Sequence, residues 1–101
     1  METYYMDLEK ELKNQQFEDL CKALLKLKTT GECKKFLRDL CTLAELSAMV
    51  ERLQVVKMVN KNTTYREISK KTGSSTATIT RVAHWLHHGM DGYKLVLHRM
   101  K

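Results

Sequence analysis

Apolar residues recur along the chain at steps of three and four, and no segment alternates apolar and polar residues for long. The chain also contains no proline, the residue that most strongly interrupts helices. With 43% hydrophobic and 30% charged residues, amphipathic helices can each have one buried stripe and one solvated face. These features predict an all-α fold.

The length of 101 residues suits a single domain, and no proline- or glycine-rich linker divides the chain. We predict one domain over residues 1–101, with dimerisation and core helices in 1–60, a helix-turn-helix segment in 61–88 and a C-terminal helix in 89–101. No apolar run exceeds three residues, which excludes a transmembrane helix and a secretory signal. We therefore expect a cytoplasmic protein without a membrane partner.

The positive charge is concentrated in the second half of the chain. Residues 1–50 carry 8 Lys and Arg against 9 Asp and Glu, whereas residues 51–101 carry 10 against 3. A polyanionic partner would therefore bind the second half. The three cysteines lack CxxC spacing, so we expect neither a disulfide framework nor a standard zinc knuckle. They lie in or beside apolar stripes and are interpreted as small core residues.

Local signals mark where the predicted helices begin and end. Leucines spaced by three, four or eight residues predict a long amphipathic helix from Tyr4 to Leu27. Threonine followed three residues later by glutamate is a capping box, typical of a helix N-terminus. Such boxes occur at Thr29 and Glu32, at Thr42 and Glu45, and at Thr64 and Glu67. The helices that they begin are predicted to end near Leu40, Asn60 and Thr72, and a last helix is predicted from Tyr93 to Met100.

Gly73 separates two short predicted helices in the basic half, which favours a helix-turn-helix motif over a generic helical hairpin. Ser69 is small enough for the second helix to cross the first closely. Ile79 and Val82 would form one apolar face that packs on Ile68. Ser74 and Ser75 are predicted to cap the second helix.

Thr76, Ala77, Thr80 and Arg81 would then lie on or beside the opposite face of the second helix. The start of this face is short, polar and uncharged, and such side chains suit base edges. Phosphate contacts are expected from Arg66, Lys70 and Lys71, helped by the free amides that follow Ser75. A plain solvated face is the alternative for these cations. The predicted DNA-binding residues are Arg66, Ser69, Lys70, Lys71, Ser74, Ser75, Thr76, Ala77 and Thr80.

The run GSSTATITR, residues 73–81, together with the Glu51-Arg52-Leu53 helix, resembles the Trp repressor superfamily. The tail GYKLVL, residues 92–97, is similar to its YerC/YecD branch. The resemblance spans about residues 36–100. It implies an intertwined all-helical homodimer, not an enzyme, whose two helix-turn-helix segments bind double-stranded DNA at a near-palindromic operator and regulate transcription, most simply as a repressor.

In the tryptophan-binding branch two arginines hold the ligand, and the resemblance places them at Arg52 and Arg81. Val82 stands where that branch has a glycine, and Trp85 replaces a small residue. Because added bulk in a tight pocket is costly, tryptophan is not expected to bind, and no cofactor is predicted. Another small-molecule co-repressor stays an open alternative. Trp85 either fills part of the pocket itself or belongs to the core or dimer interface.

Two further functional classes compete with DNA binding. His84, His87 and His88 lie on one helix face and could ligate a metal, but no cysteine or carboxylate motif accompanies them. We favour a surface cluster and predict no metal site. Nothing marks a nucleophile or an oxyanion loop, so no catalytic residue is predicted. The main rival function is a helical protein-interaction module without specific DNA binding.

Overall fold

The computed structural model describes residues 14–101, which form six α-helices and no strand. The helices are α1 (Asn14–Leu25), α2 (Thr30–Leu40), α3 (Leu43–Asn60), α4 (Tyr65–Thr72), α5 (Thr76–His88) and α6 (Gly92–Arg99). The predicted all-α class is confirmed. The start of the predicted first helix lies outside the described residues, and its described part ends at Leu25 rather than Leu27. Within residues 14–101, no helix combines the length and the apolar character needed to span a bilayer.

The chain divides into two compact units, one that ends at Leu46 and one from Ser47 to Lys101. The division falls inside α3, whereas the sequence placed the change from core helices to helix-turn-helix segment after residue 60. The single-domain assignment stays a prediction.

The described part of the first unit, residues 14–46, has apolar stripes but no buried core. None of its described residues, 14–46, is buried, and Leu25 is 82% exposed. The interpretation of the cysteines as core residues is wrong for Cys21, which is exposed, while Cys33 and Cys41 are half-buried free thiols. The stripes of α1 and α2 therefore have more apolar surface than this unit covers by itself.

The second unit has a continuous apolar core built by α3, α4 and α5. Its buried residues are Val55, Val56, Val59, Ile68, Ile79, Val82, Ala83 and Leu86. Tyr93 and Leu97 of α6 pack against this cluster and are themselves half-buried. The predicted inward face of the second short helix is confirmed, because Ile79, Val82 and Leu86 all belong to the core with Ile68. The same packing fixes which face of α5 is solvent-exposed.

All three predicted capping boxes begin helices. The hydroxyls of Thr29, Thr42 and Thr64 each accept a hydrogen bond from the backbone N–H three residues later, at 3.1, 3.1 and 3.2 Å. The box at α3 is reciprocal, since the Thr42 N–H donates to the Glu45 carboxylate at 2.8 Å. Hydrogen bonds from the Thr42 backbone and side chain lower the pKa of Glu45. This cap is therefore intact above the ordinary glutamate pKa and weakens as the pH falls through the lowered value.

Candidate nucleic-acid interface

Helices α4 and α5 are joined by a turn of three residues, Gly73 to Ser75. Gly73 adopts the left-handed conformation, with φ 76° and ψ 2°, and its N–H donates to the Ser69 carbonyl at 2.8 Å. Ser75 caps α5 by accepting a hydrogen bond from the Thr78 N–H at 3.1 Å. Both predicted turn signals, the glycine and the serine cap, are confirmed. Two short helices joined by so tight a turn form a helix-turn-helix motif.

The left-handed backbone at Gly73 yields a first prediction. A methyl group at Gly73 would meet no heavy atom within 4 Å, so the cost of Gly73→Ala is conformational. We expect the free energy of unfolding to fall by about 1–2 kcal/mol, measured by urea denaturation. Gly92→Ala is the control, because Gly92 has equally open surroundings without a positive φ. Equal losses in the two variants would show that the turn conformation carries no cost.

Two hydroxyls stabilise the turn from within through three hydrogen bonds. Ser69 donates to the Ser74 carbonyl at 2.8 Å, and Thr72 donates to the Ile68 carbonyl at 2.8 Å. The Thr72 hydroxyl also accepts from the Ser74 N–H at 3.1 Å. The sequence predicts Ser69 as a small crossing residue and a DNA contact, and Thr72 only as a helix end, so it does not predict their hydrogen bonds within the turn. The signal for the Thr72 hydrogen bonds was a threonine directly before the turn glycine, a position where a side chain can replace lost helical hydrogen bonds.

Ser74 differs from the other predicted contact residues because its side chain is 3% exposed. Its buried hydroxyl oxygen has no hydrogen-bond partner in the described part of the chain. The Ser74 N–H and carbonyl are already hydrogen-bonded within the turn, so neither its backbone nor its buried hydroxyl is open to DNA. DNA contacts by Ser69 and Ser74 stay predictions, and their side-chain positions favour a role in the turn.

The remaining predicted contact residues are exposed together around this turn. At the start of α5 the exposed residues are Ser75, Thr76, Ala77, Thr80 and Arg81, and on α4 they are Arg66, Lys70 and Lys71. Within residues 14–101, one of these side chains forms an ion pair: the Lys71 ammonium lies 3.5 Å from the Glu67 carboxylate. Because this pair is solvent-exposed, it contributes little to stability, and the cation stays accessible to a phosphate.

A second feature of this unit is an open cavity of about 660 Å³. It is lined by Arg52, Leu53, Arg81, Val82, Trp85, Met90, Gly92, Tyr93 and Val96. The structure thus places in one cavity Arg52 and Arg81, the two arginines that the resemblance assigns to binding a small-molecule effector. Trp85, 41% exposed, lines the same space, as does Val82, which belongs to the buried core. The sequence did not predict that α6 lines the cavity, although the GYKLVL tail that forms most of α6 was already noted as a family feature.

Comparison with known proteins decides the family. The sequence profile of the Trp repressor protein family matches residues 15–101, which is most of the chain. The chain belongs to the Trp repressor family. The resemblance predicted from the GSSTATITR run is confirmed, and this family of DNA-binding regulators suggests that the chain is one too.

Individual relatives support the same assignment. The uncharacterized protein YerC of Bacillus subtilis (strain 168) is 40% identical over 91 residues, which cover 90% of this chain and 88% of YerC. The Trp operon repressor homolog of Xylella fastidiosa (strain 9a5c) is 33% identical over 72 residues, 70% of this chain and 78% of that protein. The predicted resemblance to the YerC/YecD branch is thus confirmed by a relative that matches nearly the whole chain.

Solved structures are similar to this chain both in fold and in sequence. A TrpR-like protein from Eubacterium eligens ATCC 27750, known from its crystal structure, is 43% identical in sequence and matches with a TM-score of 0.81. The match covers 85% of this chain and 89% of that protein's chain. A candidate Trp repressor from Staphylococcus aureus is 41% identical with a TM-score of 0.85, and 92% of each chain is covered. The helical fold described above is therefore a Trp repressor fold.

Proposed function

We propose that this protein is a sequence-specific DNA-binding regulator of transcription, most simply a repressor, that acts in the cytoplasm as a homodimer on a near-palindromic operator. It is proposed to have no enzymatic activity. One observation carries this proposal: the helix-turn-helix motif exposes a short, uncharged helix start flanked by cations. This combination of side chains matches a DNA groove rather than an apolar partner.

The start of α5 has the chemistry needed to recognise bases. Thr76 and Thr80 lie four residues apart and are both exposed, so their side chains lie on one helix face, with Ala77 beside them. Threonine hydroxyls can donate to or accept from base edges, and the methyl groups of threonine and alanine can contact thymine. Because this first turn carries no charge, its contacts depend on the base sequence rather than on phosphate alone.

The cations around the turn have the positions expected of phosphate ligands. Arg66, Lys70 and Lys71 are exposed on α4, which precedes the recognition helix, and the first amides of α5 are open at its N-terminus. Such contacts would fix the orientation of the protein on the duplex and supply most of the sequence-independent affinity. Arg52 and Arg81 are proposed to hold any small-molecule effector in the cavity, where the bulk of Trp85 argues against tryptophan.

Uncovered apolar faces support the homodimer. The described part of the first unit has no buried residue, and α3 exposes Val50 to 60%. With helical spacing, Val50 lies on the side of α3 opposite its buried residues Val55, Val56 and Val59. A second copy would cover these faces with identical ones, as two-fold symmetry requires. Two helix-turn-helix segments in such a dimer would bind half-sites about 34–36 Å apart.

Selection from a random duplex DNA pool tests the proposal. The purified, ligand-free protein should retain a near-palindromic sequence at about physiological salt, and its affinity should fall log-linearly with salt. Retention of no DNA would instead favour a protein-interaction module. Retention without enrichment would contradict effector-free specificity, and repetition with a metabolite mixture would then test for a missing effector.

Single substitutions then separate base contacts from phosphate contacts. We expect Thr80→Ala to weaken binding to the selected sequence by about 1–3 kcal/mol and to leave binding to random duplexes unchanged. Lys70→Gln should weaken both and lower the salt slope by about two, about one for each copy in the dimer. Lys34→Gln removes the same charge from exposed α2 and is the matched control. A Thr80→Ala protein with parental specificity would contradict the placement of α5 in the groove.

A further inference from the structure

The last two turns of α5 carry three exposed histidines, His84, His87 and His88, that have no part in the proposed DNA contacts. The rings of His84 and His88 are close together, with their centres 5.2 Å apart and their planes tilted by 41°. They occupy positions i and i+4, so their side chains project from neighbouring turns of the same helix face. The pair is therefore preassembled by the helix itself.

The spacing of these two rings fits a shared cation. In tetrahedral zinc sites each ligating ring nitrogen lies about 2.0–2.1 Å from the metal, which places two ring centres about 5.2 Å apart at the tetrahedral angle. Paired histidines at i and i+4 are also how a helix presents two zinc ligands in metalloproteases. Each imidazole has two nitrogens, so a ring can bind a cation with one while the other makes a hydrogen bond.

Against the sequence-based prediction of no metal site, we propose that His84 and His88 form an open binding site for a divalent transition-metal cation of the Zn²⁺ or Ni²⁺ class. Imidazole nitrogen suits these metals, whereas Mg²⁺ and Ca²⁺ prefer oxygen ligands. No group of three His, Cys, Asp or Glu residues is arranged for a metal within residues 14–101, so solvent completes the coordination. The site is therefore exchangeable rather than structural.

The third histidine provides a matched control on the same helix. His87 is adjacent to His88 in sequence, and their ring centres lie 6.4 Å apart with the planes at 67°. Adjacent helical residues do not face each other, so His87 is not placed to share a cation with His88. A cation held by His84 and His87, at i and i+3, is the rival arrangement that the variants test. The proposal thus distinguishes His88, a ligand, from His87, a neighbour of the same chemistry.

Trp85 gives the site a built-in spectroscopic signal. It is the only tryptophan in the chain, and its ring meets that of His84 edge-on with the centres 6.0 Å apart. A paramagnetic cation such as Ni²⁺ held by His84 would be close enough to quench tryptophan fluorescence. A cation bound elsewhere on the chain would lack this immediate contact.

The experiment titrates Ni²⁺ alone into the full-length, tag-free protein after treatment with a chelator. The three cysteine thiols are first alkylated, because free thiols bind the same cations. Quenching of Trp85 and calorimetry should both report one Ni²⁺ per chain. His84→Gln and His88→Gln should each weaken binding by about tenfold or more, and His87→Gln by no more than about twofold.

Two results would overturn the proposal. One is unchanged Ni²⁺ affinity in His88→Gln, and the other is an equal loss in His87→Gln and His88→Gln. Circular dichroism of each variant without metal checks that α5 is still folded. The outcome does not depend on DNA binding, so the metal site and the regulatory function can fail separately.

Discussion

Replacement of Val50 by glutamate should convert the proposed dimer to a monomer at micromolar concentration. Val50 is 60% exposed and lies on the side of α3 opposite the buried valines of the second unit. In the proposed dimer the new carboxylate would lose water without gaining a partner, and two-fold symmetry would repeat this cost in both copies. Sedimentation velocity measures the change directly.

The same substitution should greatly reduce DNA binding. A monomer engages one half-site at a time and loses the advantage of a linked second contact, which is worth about 100-fold or more in affinity. Asn60→Glu is the control, because it adds the same charge at the exposed end of α3 without altering the apolar face. A Val50→Glu protein that sediments as the parent does would show that this face is not the dimer interface.

Replacement of Ile79 by alanine should cost about 2–5 kcal/mol of unfolding free energy, a large share of the roughly 5–15 kcal/mol typical of a domain. Ile79 is fully buried with Ile68, so truncation leaves a cavity between the two helices of the motif. Urea denaturation followed by Trp85 fluorescence measures the loss, because Trp85 lies on the same helix. We expect the midpoint to fall sharply.

The adjacent residue provides the contrast. Thr80 is exposed, and Thr80→Ala replaces a β-branched side chain with the best helix former, so stability should change by no more than about 0.5 kcal/mol. Ile79→Ala would thus impair folding, and Thr80→Ala would impair recognition alone. If Thr80→Ala lost as much stability as Ile79→Ala, the assignment of inner and outer faces on α5 would be wrong.

Signals that act over three or four residues could be predicted from the sequence. The capping boxes, the left-handed Gly73 and the Ser75 cap all depend on neighbours within one helical turn, and all are present in the structure. The inward face of α5 followed from the same helical period. These local rules sufficed to locate the helix-turn-helix motif and its exposed residues.

Features that depend on long-range packing or unusual backbone could not be predicted. Asn62 and Asp91 adopt positive φ, 62° and 65°, although neither is glycine. Asp91 precedes α6, so that helix begins at Gly92 rather than at the predicted Tyr93. The cavity joins side chains from α3, α5 and α6, and no local pattern relates residues so far apart in the chain.

If the proposed dimer covers the first unit, whose described part has no buried residue, the lifetime of this protein is linked to its abundance. For a protein whose subunits complete each other, the folded fraction rises with concentration, because association stabilises only the native state. Newly made copies at low abundance would meet cellular proteases before they meet each other. The steady-state level of such a regulator would then respond more steeply than linearly to its rate of synthesis.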